Sequence, residues 1–448
     1  MSKPQPYKIT HYTFNKKSFC IFPKVKQMND SIAIIGGGAA GMAAAVKAAW
    51  QGAAVTLYEK QDKLGRKLGI TGKGRCNVTC ACSPKEFLAS VTKNDKFMYS
   101  AAFRHTPADV YAFFESLGVP LKTERGGRVF PVSDKASDVV MALKRAMLDS
   151  GVKLHTGCKI TSVRANEDGS YTLSDGKREY THPAVIICTG GLSYPLTGST
   201  GDGYRFAEAM GVRVTDTCPS LIPIETVEDT YNLSGLTLKN VTLTAFRGEK
   251  TVFSELGEML FTHFGVSGPL VLSASCHMRG DIKNYRLEID LKPGIPEDEL
   301  DERLIRIFTE NAAKDFINAT SKLLPQKLVP LVAEAAGIPE RIKACEVTRE
   351  LRRRYLNALK HYPLTPKKFR PIEEAIITSG GIDVRELDPR TMEVKSRPGL
   401  YFAGEVIDVD AYTGGFNLQI AFSTAFLAAE AAAELVSSKQ INDSVSLS

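Results

Sequence analysis

Three glycines near the start of the chain have the G-x-G-x-x-G spacing of a dinucleotide-binding turn, directly after the apolar run "IAII" at 32–35. The run predicts a buried parallel strand. The first glycine permits a tight turn, the second lets the backbone approach a pyrophosphate, and the third lets the following helix pack closely on the strand. Unpaired N–H groups at the start of that helix then face the phosphates. The residues that we assign to this turn are Gly36, Gly38, Ala39, Ala40 and Gly41.

A carboxylate ends the next predicted strand, "AAVTLYE". This residue, Glu59, can accept hydrogen bonds from both hydroxyls of an adenosine ribose, and it would repel a 2′-phosphate. The motif therefore favours FAD or NAD(H), and we assign Glu59 and the adjacent Lys60 to the site. Strand, glycines, helix and acid together are a more specific signal than the glycines alone, for which the alternative is a glycine turn without a ligand.

The C-terminal part of the chain favours FAD over NAD(H). In "YFAGEVIDVDAYTGGFNLQIAFSTAFLAAE", Gly404 and Glu405 follow a predicted strand, and two glycines precede a long helix. A carboxylate in that place can hold the ribityl hydroxyls of FAD. A helix that starts near Gly415 and Asn417 can direct its positive end at the N1–C2=O edge of a flavin, which stabilises the anion of the reduced ring.

The elements that must position these residues follow an α/β pattern at both ends of the chain. Between them, "VTLTAF" and "YRLEIDL" alternate as antiparallel strands do, and a later segment carries an apolar helical stripe divided by prolines. We therefore predict an α/β protein with a Rossmann-like FAD-binding domain in two segments, interrupted by an inserted antiparallel β domain and a small helical domain. The predicted boundaries are a leader at 1–27, the FAD-binding domain at 28–191 and 371–448, the β domain at 192–296 and the helical subdomain at 297–370.

Composition limits the class of protein. The 448 residues are 43% hydrophobic with a net charge of +7, which is typical of a globular protein and suits an anionic ligand. Nine cysteines without a C-x-x-C pair argue against a disulfide framework and favour a reducing cytoplasm. No uninterrupted run of about 18 apolar residues predicts a membrane span. Residues 1–27 lack the apolar segment of a signal peptide, and we expect them to be weakly ordered and dispensable.

Longer motifs resemble those of one bacterial flavoprotein family. The segments "GRKLGITGKGRCNVT", "GGRVFPVSDKASDVV", "FTHFGVSGPLVLS" and 403–424 are similar to the BaiN-like and aminoacetone-oxidase-like flavoproteins, which are usually described as NAD(P)/FAD-dependent oxidoreductases. "VIICTGG" looks like the second glycine signature of their glutathione-reductase-like FAD superfamily. The resemblance covers about 31–436 and implies a Rossmann-like fold with bound FAD. One position differs, because the acid that holds the ribityl chain is usually Asp and here is Glu405.

The resemblance also implies a role for the basic, glycine-rich run that follows Glu59. In this fold the chain after the ribose acid runs along FAD toward the flavin ring, so "GRKLGITGKGRCNVT" is expected to cradle the cofactor. Its cations would lie near the phosphates, and Asn77 would bond the flavin or the ribityl chain. A solvated charged loop is the alternative. The further residues that we assign to the FAD site are Arg66, Lys67, Arg75, Ile160, Thr189 and Gly190.

The candidates for catalysis are few. His263, in the glycine-punctuated "FTHFGVSGP", could reach the flavin as a proton donor or substrate anchor, although a lone histidine is more often structural. Tyr412 precedes the flavin-facing helix and could contact substrate or simply pack. Arg125 and Arg128 could bind a carboxylate or belong to a solvated turn. The three cysteines within 76–82 lack the two-pair spacing of zinc ligands, so no metal is expected.

The insertion is the part of the chain that is large enough to cover the flavin. A nucleotide domain of this kind binds its ligand along the strand ends and leaves one face of the ring open. A cover that excludes water lets a reduced flavin react with substrate rather than with solvent. We therefore expect the insertion to cap the flavin, with His263 pointing into the cleft between the domains.

The expected function is FAD-dependent oxidoreduction of a small organic substrate, either reduction of an activated C=C or C=O bond or oxidation of an amine. NAD(P)H is a candidate electron donor, although no second G-x-G-x-x-G unit follows. The alternative is an FAD-dependent RNA-modifying or RNA-binding protein that uses 341–370, where ten Lys or Arg accompany two Glu. A solvated helical face is the plainer interpretation of that segment, so we expect neither nucleic acid nor a membrane as partner. A flavin-binding protein without turnover is the third hypothesis, and no feature indicates an oligomeric state.

Overall fold

The computed structural model describes residues 26–28, 31–339 and 341–446, so most of the predicted leader lies outside the described residues. The first part of the chain alternates strands and helices, as expected for a nucleotide-binding domain. Its strands are β1 (Lys26–Met28), β2 (Ile32–Ile35), β3 (Val55–Glu59), β4 (Thr79–Cys80), β5 (Val91–Lys93), β6 (Leu121–Glu124), β7 (Arg128–Pro131), β8 (Lys153–Thr156), β9 (Ser162–Ala165), β10 (Tyr171–Ser174), β11 (Glu179–His182) and β12 (Val185–Ile187). Its helices are α1 (Ala39–Trp50), α2 (Arg66–Gly74), α3 (Pro84–Ala89), α4 (Tyr99–Arg104), α5 (Pro107–Ser116) and α6 (Ala136–Asp149).

The middle of the chain holds the longest strands, and the last part returns to the α/β pattern. The middle strands are β13 (Val214–Ser220), β14 (Ile224–Thr226), β15 (Thr237–Arg247), β16 (Lys250–Thr262), β17 (Gly265–Ser267), β18 (Tyr285–Asp290), β19 (Tyr362–Leu364) and β20 (Pro366–Phe369). The middle helices are α7 (Asp202–Ala209), α8 (Pro269–Ser275), α9 (Glu297–Glu310), α10 (Phe316–Thr320), α11 (Val329–Ala335) and α12 (Arg349–Lys360). The last elements are β21 (Ile377–Ile382), β22 (Leu400–Phe402), β23 (Asp410–Ala411) and α13 (Phe416–Ser446).

A five-stranded parallel sheet, in the order β22-β12-β2-β3-β8, carries the dinucleotide turn. The four apolar side chains of β2 are all buried, because the strand lies between β12 and β3 and helices cover the sheet. β22 comes from the last part of the chain and joins the sheet beside β12. The nucleotide domain is therefore assembled from both ends of the chain, which confirms the predicted α/β class with a Rossmann-like domain in two segments.

Two residues that we assigned to the leader belong to the fold. β1 is the edge strand of a four-stranded sheet in the order β1-β11-β10-β9, and it pairs in parallel with residues 179–181 of β11. The boundary predicted at Met28 is therefore wrong, since it falls inside a strand. The partner that stabilises this strand lies far away in the sequence, so the residues around Met28 carry no local signal for it.

The inserted region is one domain and not two. Its centre is a seven-stranded antiparallel sheet in the order β19-β18-β15-β16-β17-β14-β20. β19 and β20 follow the helices α9–α12 in the chain and complete this sheet, and the helical stripe of Leu300, Leu304 and Phe308 is buried in the same core as Leu287 of β18. The predicted division between residues 296 and 297 is wrong, because it marks a change of secondary structure and not a change of hydrophobic core.

The insertion also starts later and ends later than predicted. α7 belongs to the core of the nucleotide domain, where Tyr204, Phe206 and Ala207 are buried. The chain leaves that domain through β13 and returns through β21, and these two strands pair with each other in antiparallel fashion. The boundaries expected at 192 and 370 are therefore displaced toward this strand pair, which joins the two domains.

The C-terminal helix is a core element. By length and composition, Phe416–Lys439 of α13 is the one helix in the described part of the chain that could cross a membrane. However, 72% of its most apolar window is buried inside the protein. It packs along α1 beside the parallel sheet, so its apolar composition is explained by the core that it forms.

Candidate functional site

A cavity of about 1290 Å³ runs along the carboxyl ends of β2, β3 and β12, and the inserted domain forms its opposite wall. Ligand sites in open α/β sheets lie at this edge of the sheet. Pockets for drug-sized molecules usually measure ~300–1,000 Å³. The cavity is therefore large enough for a dinucleotide together with a second, smaller molecule.

The dinucleotide turn leaves open space where a pyrophosphate would approach. Gly38 is the N-cap of α1, and a β-carbon built on it would meet no atom within 4 Å. Gly36 adopts φ +106, and a β-carbon there would lie 2.4 Å from a backbone carbonyl oxygen at the end of β12. The next residues, Ala39 and Ala40, line the cavity, whereas Gly41 does not. A β-carbon on Gly41 would lie 1.8 Å from the Gly36 carbonyl oxygen, so this glycine permits helix–strand contact instead of touching a ligand.

The carboxylate of Glu59 is held in place at the end of β3. Its Oε2 accepts the N–H of Gly37 at 2.6 Å, and its Oε1 accepts the N–H of Gln61 at 2.7 Å. Each carboxylate oxygen can accept a second hydrogen bond, so Glu59 can still bind ribose hydroxyls. Lys60 also lines the cavity, but its Nζ lies 2.6 Å from the carboxylate of Asp202, which balances its charge.

Cations outnumber carboxylates around the cavity, which suits a diphosphate. The lining cations are Lys60, Lys63, Arg66, Lys67, Lys73, Arg75, Arg128 and Lys159, and the lining acids are Glu59, Asp202, Glu258 and Glu405. Arg75 is already paired, because its guanidinium lies 2.5 Å from Glu124 and 2.6 Å from Asp134 and covers the ring of Phe130. These hydrogen bonds raise the pKa of Arg75 further, and its predicted phosphate contact would have to compete with them.

Glu405 is the centre of a polar cluster at the end of β22. Lys67 Nζ donates to Glu405 Oε2 at 2.6 Å and to Ser193 Oγ at 2.6 Å, and the Ser193 hydroxyl donates to Glu405 Oε1 at 2.8 Å. The N–H of Thr378 donates to the same oxygen at 3.1 Å. Lys67 therefore forms its ion pair with Glu405, the predicted ribityl-binding acid, whereas the sequence had suggested a contact with the phosphates. Sequence reasoning missed Ser193 and Thr378, although Ser193 lies just after the second glycine signature.

The basic run after Glu59 is partly helical. Residues 66–70 form one turn of α2, and residues 71–73 leave the helical conformation. Asn77 lines the cavity, and its Oδ1 accepts the N–H of Val129 at 3.0 Å. The side-chain NH₂ of Asn77 makes no hydrogen bond to any described residue, so it is available to a ligand. The run thus contributes to the cavity as expected, but it starts as a helix and not as a loop.

The start of α13 forms the floor at the far end of the cavity. Gly415 has φ +97, and a β-carbon there would lie 2.3 Å from the carbonyl oxygen of Thr79. Asn417 lines the cavity, but its amide is used by the protein: Oδ1 accepts the N–H of Ala411 at 3.0 Å, and Nδ2 donates to the carbonyls of Ala411 and Tyr412. Asn417 therefore positions the segment that carries Tyr412, a role that sequence reasoning did not assign.

The second glycine signature contains a hydroxyl without a partner, and this hydroxyl lies against α7, where a β-carbon built on Gly203 would be 2.3 Å from Thr189 Oγ1. Thr189 Oγ1 is buried and has no hydrogen-bond partner within the described part of the chain. Thr189, Gly190 and Ile160 all line the cavity. Gly404 does not: a β-carbon there would lie 2.8 Å from the β-carbon of Ala40, so this glycine lets β22 lie against α1.

The inserted domain contributes an apolar wall. The apolar residues that it brings to the cavity are Leu221, Leu260, Pro269, Leu272 and Ile376. His263 is not among the lining residues, since it is exposed in the two-residue turn between β16 and β17. The prediction that His263 points into the cleft is wrong, because the hairpin turn carries its side chain to the surface.

Tyr412 does line the cavity, and a different histidine holds it. The Tyr412 hydroxyl lies 2.7 Å from Nε2 of His277, which follows α8 of the inserted domain. The Tyr412 ring packs against a small apolar cluster that includes Leu221 and Ile377. Burial raises the pKa of Tyr412 to about 12, and burial together with Arg279 lowers the pKa of His277. The phenol is therefore protonated at neutral pH. The sequence around His277 gave no signal that would have predicted its pairing with Tyr412.

These features fit FAD. The open space at Gly38 and the first turn of α1, which contains no acid, suit the pyrophosphate. Glu59 retains acceptor capacity for the ribose, and the side-chain NH₂ of Asn77 at the cavity is available to a ligand. The acid-free first turn of α13 at Gly415 can face the flavin edge.

Comparison with known proteins decides the family. The description "HI0933-like protein Rossmann domain" matches residues 30–431. The chain belongs to this HI0933-like family. The match covers both segments of the nucleotide domain and the insertion between them, and it confirms the relationship to the BaiN-like flavoproteins. The chain is therefore an FAD-dependent oxidoreductase.

Two curated relatives match nearly their whole length. The chain is 29% identical over 416 residues to "3-dehydro-bile acid delta(4,6)-reductase" of Clostridium scindens, which covers 90% of this chain and 99% of the relative. The chain is 31% identical over 412 residues to "Ribosomal RNA dihydrouridine synthase" of Haemophilus influenzae. This match covers 90% of this chain and 98% of the relative. Among solved structures, a 3-ketosteroid-Δ4-(5α)-dehydrogenase from Rhodococcus jostii matches with a TM-score of 0.49 and 14% identity, covering 92% of this chain and 99% of that one.

The role of Glu59 in FAD binding can be tested by substitution. We expect Glu59→Ala to weaken FAD binding by about 10- to 150-fold, because one charge-assisted hydrogen bond to ribose contributes about 1.5–3 kcal/mol. The dissociation constant is measured by flavin fluorescence on the apoprotein. Glu59→Gln keeps an acceptor and should lose less. Because Glu59 also binds two backbone N–H groups, thermal melting of each apoprotein is compared first; unchanged FAD affinity in a folded Glu59→Ala variant would place the ribose elsewhere.

Proposed function

We propose that the chain reduces a carbon–carbon double bond that is conjugated to a carbonyl group in a small, largely apolar organic molecule. The observation that carries this proposal is the phenol of Tyr412, which lines the FAD-sized cavity and is hydrogen-bonded to His277 at 2.7 Å. Such a reduction needs a hydride at one carbon of the double bond and a proton at the other. The proposal requires FAD in the cavity as the hydride carrier and Tyr412, which lines the same cavity, as the acid.

The chain's own residues supply the proton and the orientation. FAD, when bound, supplies hydride transfer. A substrate carbonyl or its neighbouring carbon that approaches Tyr412 would meet a phenol that keeps its proton at neutral pH, because burial raises the pKa of Tyr412 to about 12. A positioned acid of this kind contributes ~10²–10⁴-fold to the rate of a proton-transfer step.

His277 can support the phenol in this role. With its proton on Nε2, the imidazole donates to the phenol oxygen and leaves the hydroxyl hydrogen free to point at substrate. When the phenol loses its proton, the same imidazole stabilises the phenolate. His277 is half-buried, so the proton can be replaced from solvent through the ring.

The wall of the cavity favours an apolar substrate. Leu221 and Leu272 line the cavity and belong to the apolar cluster that contains Tyr412. Leu260 and the carboxylate of Glu258 also line the cavity. Apolar side chains bind hydrocarbon rings by the hydrophobic effect, whereas a carboxylate repels a phosphate. A conjugated ketone with an apolar skeleton suits this wall better than a nucleotide. The proposed substrate also matches the reaction named for the bile-acid relative.

Uridine in ribosomal RNA is the second candidate, because the name of the Haemophilus relative points to it and the reaction is of the same class. The double bond of uracil that becomes saturated in dihydrouridine is also conjugated to a carbonyl. Arg349, Arg353 and Arg354 of α12 line a surface pocket of about 720 Å³ and form no ion pair within the described part of the chain. Half of the basic residues in 341–370 are, however, neutralised by acids elsewhere in the fold. The paired residues are Lys343, Arg352, Lys360, Lys368 and Arg370.

Anaerobic reoxidation of the reduced holoenzyme tests the proposal. The flavin is photoreduced, mixed with a steroid-sized conjugated ketone, its saturated analogue, uridine or ribosomal RNA, and followed by its visible absorbance. We expect reoxidation by the conjugated ketone, with the saturated ketone leaving the flavin reduced. NADH and NADPH are compared as donors in the opposite half-reaction, because the nicotinamide is the proposed source of electrons.

The other outcomes of this experiment assign the remaining hypotheses. Reoxidation by RNA without reoxidation by ketones would replace the proposal with the second candidate. Reduction of the oxidised flavin by an amine, with no reoxidation by either acceptor, would replace it with amine oxidation.

The location that we propose is the cytoplasm, which is supported by the eight described cysteines all being free thiols.

A further inference from the structure

Two cysteines outside the cavity lie unusually close together. Cys80 ends β4, Cys82 precedes α3, and their sulfur atoms are 2.9 Å apart. A disulfide bond is about 2.0 Å long, so bond formation requires a movement of less than about 1 Å. The residue between them, Ala81, is fixed by a hydrogen bond from its N–H to the carbonyl of Gly127 at 2.7 Å. The backbone therefore holds both thiols on the same side.

We propose that Cys80 and Cys82 are a redox modification site, which a low-molecular-weight disulfide such as glutathione disulfide converts reversibly into an intrachain disulfide. The proposal is independent of the substrate class proposed above. It rests on the sulfur–sulfur distance and on the difference in exposure between the two residues: Cys82 is half-buried and reachable, whereas Cys80 is 2% exposed.

The two residues differ in the way that a nucleophilic and a resolving thiol differ. The contact with the Cys80 thiol lowers the pKa of Cys82, and the same contact together with burial raises the pKa of Cys80. The thiolate is the form that attacks a disulfide. Burial raises the pKa of the other described cysteines for which a shift is resolved, with Cys76 and Cys276 at about 12. Cys82 is therefore the thiol that reacts first.

Glutathione disulfide is the oxidant in this exchange, so no metal and no further electron acceptor are needed. The Cys82 thiolate attacks one sulfur of glutathione disulfide, and glutathione thiolate leaves. Cys80 then loses its proton, attacks Cys82 Sγ in the mixed disulfide, and expels the second glutathione. Two protein thiols are oxidised to one disulfide, and one glutathione disulfide is reduced to two thiols. A ring that spans a single intervening residue is strained, so excess glutathione reverses the reaction.

The pair lies next to the floor of the cavity. Thr79, the neighbour of Cys80, donates from Oγ1 to the side-chain oxygen of Gln419 at 2.6 Å, and its carbonyl oxygen lies against Gly415. β4 thus supports the first turn of α13. A disulfide would tie this strand to the start of α3, so the modification site is placed where it can affect the floor of the cavity.

The test uses the full-length holoenzyme in buffers of defined glutathione to glutathione disulfide ratio. After an acid quench, free thiols are blocked with N-ethylmaleimide and tryptic peptide 76–85, "CNVTCACSPK", is analysed by mass spectrometry. We expect three blocked thiols in reducing buffer. In oxidising buffer we expect one blocked thiol, at Cys76, and the loss of two hydrogens, with a return to three after excess glutathione.

Single variants separate the two roles. In Cys80→Ser, Cys82 should retain one glutathione as a trapped mixed disulfide. In Cys82→Ser, Cys80 should remain a free thiol.

Exposed Cys345, which has no neighbouring cysteine in the described structure, reports that the oxidant reaches the protein. The proposal is overturned if the wild-type peptide keeps three blocked thiols while Cys345 is modified, if it accumulates only glutathione adducts, or if the disulfide involves Cys76. FAD content of each variant verifies that it is folded, and the wild-type result stands if a variant fails to fold.

Discussion

Replacing Tyr412 with phenylalanine is expected to slow the reduction of a conjugated ketone by ~10²–10⁴-fold, which is the usual contribution of a positioned general acid. The variant keeps the ring that packs against Leu221 and Ile377 and removes only the hydroxyl that His277 binds. The reduction of the flavin by its donor needs no proton from this phenol and should be unchanged. The two half-reactions are measured separately by stopped-flow absorbance.

The pH dependence has a defined sign. Burial raises the pKa of Tyr412 to about 12, so the acid form is present at neutral pH and is lost as the pH rises through that value. We therefore expect the wild-type rate of ketone reduction to show no phenol-dependent fall up to about pH 10. The pKa of His277 is lowered, so the imidazole is neutral at pH 7 and gains a proton only below its ordinary range.

Tyr285→Phe is the matched control for the loss of a phenol in the same domain. Tyr285 is buried, its hydroxyl donates to the carbonyl of Arg279 at 2.8 Å, and it does not line the cavity. The Tyr285→Phe variant should therefore reduce the conjugated ketone at the wild-type rate. His277→Gln should fall between the wild type and Tyr412→Phe. Equal rates for Tyr412→Phe and the wild type would remove Tyr412 from the mechanism and leave the proton donor unassigned.

Replacing Gly38 with alanine is expected to weaken FAD binding by about 5- to 150-fold. The added methyl group meets no protein atom within 4 Å, and the backbone at φ −83, ψ −165 accepts an L-residue, so the apoprotein should fold normally. The methyl group would instead occupy the space through which the pyrophosphate approaches α1. Overfilling a tight contact costs about 1–3 kcal/mol, which corresponds to the stated change in affinity.

Gly69→Ala is the control for this substitution. Gly69 lies in the helical turn of α2, has open space at its β-position, and does not line the cavity. The Gly69→Ala variant should therefore bind FAD with wild-type affinity. Flavin titration of both apoproteins, with melting temperatures recorded in parallel, compares them directly. If both variants bind FAD equally well, the pyrophosphate does not pass Gly38 and the cofactor lies differently in the cavity.

Local patterns in the sequence are sufficient to predict the centre of the nucleotide domain, although they do not assign β1 or α7 to it. A strand that ends in G-x-G-x-x-G and continues as a helix can pack in few ways, because Gly41 must lie against Gly36 and Glu59 must lie beside the turn. The same holds for β22 and α13, whose glycines mark a close contact with α1 and β4. The family, the cofactor class and the two-segment domain could therefore be predicted from residues that are near one another in the sequence.

The tertiary structure alone decided which charged and polar groups meet. Lys67 and Glu405 form an ion pair across 338 positions of sequence, and His277 reaches Tyr412 from the other domain. A local signal placed His263 in a glycine-rich segment but could not show that a hairpin turn would expose it. Side-chain partners depend on how the two domains dock, and domain boundaries depend on which core a helix joins. Both are set by contacts between distant segments, which periodicity and motif spacing do not encode.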